Sequence, residues 1–200
     1  LGGSYGKLPK QAADVIKRIL VVTQDKLKDI NNFLDIEQFK MGKGVVSLKP
    51  GIELSPMLEE IINVLSSKAQ SKGIYLKLEE PKEAFAINAD REKLKAALFN
   101  IIDNAVKYTP KGGVNIKTEN HDSVKIIVSD TGIGIPQDKI KNIFEAQFER
   151  TKQAEKTAAG SGVGLYLPAQ IIKLHNGKVW AESEGEGKGF YIAMAGFAGG

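Results

Sequence analysis

The sequence predicts an α+β protein in which a mixed sheet, covered by helices on one face, follows a long N-terminal helix. Two observations indicate this architecture. Apolar residues recur with a helical period over the first 40 positions, and helix and strand patterns then alternate to the end of the chain. With 200 residues, of which 42% are hydrophobic, the chain has enough apolar surface for one ordinary core.

The N-terminal helix is predicted from a heptad pattern. Its seam consists of apolar residues spaced by four and three, with Thr23 completing the series: Ile16, Leu20, Leu27, Ile30 and Leu34. A second apolar row beside the seam favours a helix of about 30 residues that packs in a bundle. The alternative is a helix that folds back on its own domain. Gly42 and Gly44 are expected to end the helix, so we predict one unit over residues 1–43 and another over 44–200.

The second unit is predicted to contain seven strands and three helices. The strands are expected at 45–48, 74–78, 84–87, 114–118, 124–129, 178–183 and 189–194. The first helix is predicted to begin with Ser55 as its cap and Pro56 at its first position. The second helix is expected over residues 90–108 and the third over 163–174, with a turn at 119–122 between two of the strands.

Composition and charge exclude several classes of protein. The chain has no cysteine, which removes disulfides and thiol chemistry, and its two histidines are His121 and His175, so a zinc site is not expected. The longest apolar runs are far shorter than the roughly 18 residues of a membrane span, and no signal peptide opens the sequence, so a cytoplasmic protein is expected. The net charge of +4 and the pI near 9.0 favour anionic partners, among them nucleotides and nucleic acids.

Three polar residues share one face of the second predicted helix. Asn100, Asn104 and Lys107 follow each other at i, i+4 and i+7, opposite the apolar residues of the same helix. Amide oxygens can bind a metal ion, and a lysine beside them can pair with phosphate oxygens. The alternative is an ordinary solvated helix face.

Two segments rich in glycine also indicate a nucleotide. A predicted strand ends in Asp130 and turns through Gly132 and Gly134. A carboxylate there can accept a hydrogen bond from an exocyclic amine, and glycines let the backbone approach a flat ring. The sequence Gly-Ser-Gly-Val-Gly-Leu over residues 160–165 precedes a helix, where free N–H groups and the helix dipole favour phosphate. The alternatives are a capped surface turn and a flexible linker.

Together these motifs resemble the catalytic ATP-binding domain of bacterial sensor histidine kinases. The resemblance extends over residues 45–194 and depends on the order and spacing of five motifs. They are Asn100-Ile-Ile-Asp-Asn104-Ala-Val-Lys107-Tyr108, Asp130-Thr-Gly-Ile-Gly134, Ile143-Phe-Glu145, Gly160-Ser-Gly-Val-Gly-Leu165 and His175-Asn-Gly-Lys-Val-Trp180. Residues 34–43 are similar to the end of the second helix of that family's dimerisation hairpin. The first helix of the hairpin, which carries the phosphoacceptor histidine, is expected to be absent.

The resemblance implies a two-layer α/β sandwich of the histidine kinase and gyrase ATPase type, with ATP as the nucleotide and Mg²⁺ as the metal. It assigns Mg²⁺ to Asn104 with the assistance of Asn100, and phosphate oxygens to Lys107 and Arg150. Asp130 would accept from the adenine amino group. The further implied contacts, to the nucleotide or in the mobile lid, are Tyr108, Gly132, Gly134, Ile135, Gly160, Gly162, Gly164 and Leu165.

The resemblance also implies a reaction, which is transfer of the ATP γ-phosphate to a histidine on a dimerisation helix. Hydrolytic relatives place a glutamate four residues before the metal-binding asparagine. Here that residue is Asn100, whose amide is not a base near neutral pH, so hydrolysis is disfavoured. The implied partners are ATP or ADP, a response regulator receiver domain, and a second copy bound through the N-terminal helix. The protein would be cytoplasmic, or the cytoplasmic portion of a membrane-anchored sensor.

Two alternative functions remain open at this point. A nucleotide-binding regulatory module that transfers no phosphate would share every binding residue, so only an assay with an acceptor separates it from a kinase. A nucleic-acid binder is supported by the pI alone, because the chain lacks a surface motif that combines aromatic and basic residues. Nucleic acid is therefore not an expected partner.

Several positions depart from the family pattern or need a structural test. The stretch before Arg150 carries one residue more than the family's spacing, which leaves the register of Phe148 and Arg150 open. Pro168 is predicted to remove one hydrogen bond from the third helix and to kink its first turns. His175 is predicted to cap the C-terminus of that helix, where the dipole favours a cation, and His121 is predicted to lie in a turn. Neither histidine is expected to accept phosphate.

Overall fold

The computed structural model describes residues 6, 8–16, 18–20, 22–23, 27, 34, 41, 46–79, 86–120, 123–145, 164–197 and 199. In the N-terminal part, the described residues at positions 10–16, 18–20, 22–23, 27 and 34 are helical, as the heptad pattern predicts. Large apolar side chains of this helical part are 48–58% exposed: Val15, Ile19, Leu20, Val22, Leu27 and Leu34. The predicted helix end at Gly42 and Gly44 lies outside the described residues. None of the described helices combines the length and apolar character that crossing a membrane requires.

From residue 46 onward, the described residues form seven strands, three helices and one 3₁₀ turn. The strands are β1 Lys49–Glu53, β2 Tyr75–Glu79, β3 Ala86–Ala89, β4 Gly113–Asn120, β5 Val124–Asp130, β6 Lys178–Glu182 and β7 Phe190–Phe197. The helices are α1 Leu54–Ser71, α2 Arg91–Tyr108 and α3 Tyr166–Leu174, and the 3₁₀ turn is Ile140–Asn142.

The strands form a mixed sheet, as predicted, and a small separate ribbon. The five-stranded sheet has the order β2-β4-β5-β7-β6, in which β2 and β4 are parallel and every other pair is antiparallel. β1 and β3 pair antiparallel beside it. β5 lies at the centre of the large sheet, so its last residue, Asp130, lies between two neighbouring strands, opposite Val114 on β4 and Phe190 on β7.

The helices pack on one face of the large sheet because their apolar stripes meet alternate strand residues. α2 is capped by Asp90, whose carboxylate accepts from the backbone N–H of Lys93 at 3.2 Å, a cap that stabilises a helix by about 1 kcal/mol. The core combines buried residues of α1 and α2 with inward residues of the central strands: Leu58, Ile61, Leu94, Leu98, Ile101, Ile126, Val128, Ile192 and Met194. This packing fixes α2 against the end of β5.

Some element ends differ from the sequence prediction. The first strand begins at Lys49, after the predicted 45–48. The next helix begins at Leu54 and has Glu53 at its cap position without a side-chain cap bond, so the predictions of Ser55 as the cap and Pro56 as the first residue were wrong. Leu54 is fully buried, and including it in the helix brings it into the core. β4 continues to Asn120, which shortens the predicted turn at 119–122.

Pro168 does not interrupt the third helix, contrary to the prediction. α3 begins at Tyr166 instead of 163, which makes Pro168 its third residue. The N–H groups of the first helical turn have no partner within the helix, so a proline there removes no bond of the helix. The first bond of the helix is donated by Ala169 to the carbonyl of Leu165 at 3.1 Å.

Candidate functional site

The acidic residue at the end of β5 is an acceptor in a poorly solvated position. The Asp130 side chain is half-buried, and its Oδ1 accepts from the backbone N–H of Gly132 at 2.8 Å. Burial raises the pKa of Asp130 to about 6, although the backbone N–H groups of Gly132 and Phe190 act in the opposite direction. At neutral pH the group is mainly ionised and can accept a further hydrogen bond.

Gly132 allows the turn after β5 to touch the end of α2. A Cβ at this position would lie 2.5 Å from the carbonyl oxygen of Tyr108 and 2.8 Å from Oδ1 of Asp130. The next residue, Ile133, donates its N–H to the same Tyr108 carbonyl at 3.2 Å. The predicted base-binding turn and the predicted nucleotide-bordering tyrosine are therefore in direct contact.

The segment that joins β6 to β7 supports the same turn, and the sequence analysis missed it. Gly134 has φ +65°, and a Cβ there would lie 2.1 Å from the carbonyl oxygen of Gly185. A Cβ on Gly189 would lie 2.2 Å from the backbone oxygen of Asp130. Three glycines at every second position, 185, 187 and 189, were the signal in the sequence that could have found this support.

Thr131 connects the turn to the loop after α2. Its hydroxyl donates to the carbonyl of Lys111 at 2.9 Å and accepts from the N–H of Gly113 at 3.0 Å. The loop after α2 and the turn after β5 are thereby joined through one side chain. This role was also absent from the sequence analysis.

The polar face of α2 lies beside the described end of the glycine-rich segment. Asn100, Asn104 and Lys107 are half-buried on this face. Nδ2 of Asn104 donates to the carbonyl of Gly164 at 3.5 Å, with the amide orientation taken from this hydrogen bond. Oδ1 of Asn104 therefore faces away from this bond.

α1 holds α2 in place from the other side. The ammonium of Lys72 donates to the carbonyls of Val106 at 2.7 Å and Lys107 at 2.8 Å, at the C-terminus of α2, where a positive charge interacts favourably with the helix dipole. Burial lowers the pKa of Lys72. Near the start of α2, Glu60 pairs with Arg91 at 2.6 Å and with Lys95 at 2.5 Å. A further ion pair joins Lys68 to Asp103.

The His175 side chain connects two helices. It is 3% exposed, its Nδ1–H donates to the carbonyl of Ile171 at 2.8 Å, and its Nε2 accepts from the backbone N–H of Asp90 at 2.9 Å. The ring caps α3, as predicted.

Ten of the thirteen predicted binding residues can be placed. They lie in two groups that meet where α2 ends: Asn100, Asn104, Lys107, Tyr108, Gly164 and Leu165, and Asp130, Gly132, Gly134 and Ile135. Arg150, Gly160 and Gly162 lie outside the described residues, as do Phe148 and His121. The side-chain amides of Asn100 and Asn104 fit a nucleotide with Mg²⁺, because amide oxygens suit this metal when phosphate oxygens complete its coordination shell. Among the described residues there is no group of three or more His, Asp or Glu side chains that could hold a metal ion.

Comparison with known proteins identifies the family of this arrangement. Residues 89–195 match the family of histidine kinase-, DNA gyrase B-, and HSP90-like ATPases. The chain belongs to this family. The chain is 34% identical over 148 residues to the adaptive-response sensory kinase SasA of Synechococcus sp. (strain JA-3-3Ab), which is 71% of this chain and 38% of SasA. It is 31% identical over 194 residues to the circadian input-output histidine kinase CikA of Synechococcus elongatus, 94% of this chain and 26% of CikA. The chain spans less than two fifths of either relative.

Solved structures confirm the predicted sandwich of the histidine kinase type. Full-length ShkA in complex with AMPPNP matches with a TM-score of 0.79 and 26% identity, over 99% of this chain and 41% of ShkA. The histidine kinase ThkA, solved in complex with the response regulator protein TrrA, matches in fold with a TM-score of 0.69 and 19% identity, over 97% of this chain and 53% of that one. The chain thus contains a histidine kinase ATPase catalytic domain, as its motifs indicate.

Proposed function

We propose that this chain binds Mg-ATP and transfers the γ-phosphate to a histidine on a dimerisation helix. The observation that carries the proposal is the direct contact between the Asp130 turn and the C-terminal end of α2. Through this contact Asp130, the candidate hydrogen-bond acceptor for the nucleotide base, lies near the helix that carries Asn104 and Lys107. The amide and ammonium groups of these two residues suit phosphates with a metal ion. ShkA, which has the same fold, was solved in complex with AMPPNP.

The base would be recognised by Asp130. Its carboxylate is fixed by the N–H of Gly132 and is ionised at neutral pH, so it can accept from the adenine amino group. Guanine presents a carbonyl oxygen in place of that amine, which would face the carboxylate without a proton between them. Gly132 and Gly134, which allow the turn to pass close to neighbouring backbone, and Ile135 would then border the base.

The phosphates would lie along the polar face of α2. Oδ1 of Asn104, with Asn100 one turn earlier, would hold Mg²⁺, which when bound neutralises charge on the phosphate oxygens. Lys107 and Arg150 would pair with phosphate oxygens, and Gly160, Gly162, Gly164 and Leu165 would cover them. Asn100 cannot act as a general base for water, so this chain's own residues favour transfer to a positioned nucleophile over hydrolysis.

The N-terminal residues would supply the dimer contact. We propose that residues 1–43 belong to the dimerisation hairpin and residues 44–200 to the ATP-binding domain. The exposed apolar side chains of the described helical residues support this, because a heptad seam without a partner is expected to pair with another helix. A response regulator receiver domain is the proposed acceptor of the next transfer. The solved complex of ThkA with the response regulator protein TrrA supports a partner of this class.

The test of nucleotide binding is calorimetry with ATP and GTP. Replacement of Asp130 by Ala should weaken ATP binding by roughly 1.5–3 kcal/mol, the range for a hydrogen bond to a charged group. The unchanged chain should prefer ATP over GTP. Equal affinity for the two nucleotides, or no loss in the Asp130→Ala variant, would contradict the proposal.

The test of phosphate transfer uses radiolabelled ATP. The 200-residue chain alone should acquire no acid-labile label, because both ring nitrogens of His175 are engaged and the ring is buried. His121 is the histidine to check for label, because a carboxylate directly follows it in the sequence, at Asp122, and could take up a proton from the ring. Its neighbour Asn120 pairs with Val124 at the opposite end of the β4–β5 hairpin from Asp130, roughly 20 Å away at about 3.3 Å per residue.

Label should appear on an added hairpin fragment that carries the acceptor histidine. A His121→Gln variant is the matched control, and it should transfer as well as the unchanged chain. Acid-labile label on His175 would contradict the placement of the acceptor outside this chain. Normal ATP binding without transfer to a folded hairpin would favour the regulatory module.

A further inference from the structure

The base-binding turn depends on the β6–β7 segment through a small set of hydrogen bonds. The N–H of Gly187 donates to Ile133 at 2.6 Å, and the N–H of Gly189 donates to Gly132 at 3.1 Å. Both bonds join backbone to backbone. The end of the turn is held differently, by one side chain, that of Ser183.

The hydroxyl of Ser183 uses its whole hydrogen-bonding capacity at this place. Its oxygen accepts from the N–H of Ile135 at 3.1 Å and from the N–H of Gly185 at 3.3 Å. Its proton has two carbonyl oxygens in reach, that of Gly189 at 2.8 Å and that of Gly185 at 3.4 Å, and the shorter contact identifies Gly189 as the main acceptor. One donor and two acceptor positions are all that a serine has, so none remains for another ligand.

These partners are the residues that border Asp130 and its turn. Ile135 directly follows Gly134, whose positive φ allows the backbone to pass beside Gly185. Gly189 lies against the backbone oxygen of Asp130. The same hydroxyl therefore holds the end of the turn and the segment that packs on Asp130.

We infer that Ser183 is a positioning residue for the nucleotide base, acting through the N–H of Ile135 on the turn of Gly132 and Gly134. The inference rests on the proposed function, because it concerns how the base meets Asp130. Without the hydroxyl, the N–H of Ile135 loses its partner, and the hydrogen bonds that remain hold the earlier part of the turn, at Gly132 and Ile133. The angle at which the base approaches the Asp130 carboxylate is then less fixed, and a charge-assisted hydrogen bond depends on that angle.

Removal of the Ser183 hydroxyl should therefore weaken nucleotide binding only through the contact between Asp130 and the exocyclic amine of the base. A Ser183→Ala variant should bind ATP about five- to tenfold more weakly, the effect of one buried hydrogen bond. Inosine triphosphate carries a carbonyl oxygen where ATP carries the amine, so it does not use the Asp130 contact. Its binding should change by less than about twofold, since the phosphate contacts on α2 are untouched. The preference of the protein for ATP over inosine triphosphate should therefore fall.

The experiment is calorimetry of ATP and inosine triphosphate, both with Mg²⁺, on four forms of the 200-residue chain. These are the unchanged chain, Ser183→Ala, Ser183→Thr and Ser66→Ala. Ser66 is the matched control, because its hydroxyl also donates to a backbone carbonyl, that of Ile62 at 2.6 Å, but on α1. Ser183→Thr keeps the hydroxyl and should keep the ATP preference, whereas Ser66→Ala should bind both nucleotides normally.

Two results would overturn the inference. One is Ser183→Ala binding ATP as tightly as the unchanged chain. The other is an equal loss for both nucleotides, which is the result of a fold that is merely less stable. If Ser183→Ala does not fold, Ser183→Cys provides the comparison, because a thiol keeps the volume and is a weak hydrogen-bonding group. An unchanged ATP preference in that variant would likewise count against Ser183. Failure of the proposed function looks different, since the unchanged chain itself would then bind ATP and inosine triphosphate equally.

Discussion

The base side and the phosphate side of the proposed nucleotide site are built in different ways. On the base side, the turn after β5 is held by backbone hydrogen bonds, by the Ser183 hydroxyl and by glycines that leave no room for a Cβ. On the phosphate side, among the described residues, Asn104 meets the glycine-rich segment through one contact of 3.5 Å to Gly164. The base side is thus formed in advance, whereas the phosphate side depends on a rigid α2 and on a weak contact across it.

This difference predicts a larger effect of substitutions on the base side. Gly132→Ala should have the largest, because the new Cβ would lie 2.5 Å from a backbone oxygen that cannot move without moving α2. Overpacking of this kind costs about 1–3 kcal/mol in stability, and we expect ATP binding to weaken by tenfold or more. The measurements are thermal unfolding and calorimetry with ATP.

Gly51→Ala, on β1, is the matched control for that substitution. Gly51 has φ +77°, but a Cβ there would meet nothing within 4 Å. The variant should therefore lose only the roughly 1–2 kcal/mol of a left-handed backbone position, with ATP affinity nearly unchanged. Equal losses of affinity in the two variants would show that the close contact of Gly132 is unimportant.

The half-buried Asp130 carboxylate, when ionised, lowers the stability of the protein without nucleotide, because it is poorly solvated. Its folded pKa of about 6 lies above the ordinary value of 3.8, so between these values the folded state binds more protons than the unfolded state. Stability without nucleotide should therefore fall as pH rises through this window, by up to about 3 kcal/mol. ATP affinity should change in the opposite direction, because the ionised carboxylate is the better acceptor.

Asp130→Asn separates these two effects. The amide does not titrate, so the variant should show a flatter dependence of the unfolding free energy on pH between 4 and 7, with greater stability than the unchanged chain at pH 7.5. It should nevertheless bind ATP more weakly. Denaturant unfolding across this pH range measures the first effect, and a slope as steep as that of the unchanged chain would assign the titration to another group.

The sequence predicted the parts of the site that depend on local patterns. α2 was found because its apolar residues recur every three or four positions and because Asp90 caps it, and the end of β5 was found from its alternation and its glycines. The order of Asn104, Asp130 and Gly164 then indicated a nucleotide site, which stays a prediction. These features lie within short stretches of chain, where spacing determines which side chains share a face.

The contacts that hold the site together could not be predicted in the same way. Ser183 meets Ile135 from 48 residues away, and His175 meets Asp90 from 85 residues away. Such pairs are brought together by the sheet order, in which β7 lies between β5 and β6. A serine or a histidine at a helix or strand end has many local roles, so spacing alone does not reveal a distant partner. The start of α1 was misplaced because burial of Leu54 outweighed the local capping preference of Ser55.

The rigidity of α2 can be tested from its other side. Lys72→Met keeps the length of the side chain but removes the ammonium from the last carbonyls of α2, which should cost about 1–2 kcal/mol of stability. Lys68→Met is the control, because the Lys68 side chain is 43% exposed and such ion pairs contribute at most about 1 kcal/mol. A larger loss in the Lys68 variant, measured by denaturant unfolding, would show that the ion pair and not the helix end holds α2.

The smallest effect should come from Pro168, and it tests the weak contact on the phosphate side. Because proline has no N–H, the Gly164 carbonyl receives no hydrogen bond from the third residue of α3 and stays available to Nδ2 of Asn104. Pro168→Ala supplies an N–H that has no partner within α3 as it stands. We expect this N–H to extend α3 by one residue at its start and to compete with Nδ2 of Asn104 for the Gly164 carbonyl. The free amide can then rotate, and its oxygen is less often aimed at the metal position. We expect ATP affinity to fall about two- to threefold with Mg²⁺ present, since the hydrogen bond lost is long and weak, and to stay unchanged when EDTA removes the metal. Hydrogen exchange should show protection of the new amide at position 168. Protection of that amide with an unaltered Mg²⁺ dependence of ATP affinity would mean that the contact to Gly164 does not orient Asn104. The orientation of Asn104 would then not depend on this weak contact, which contradicts the difference proposed between the two sides.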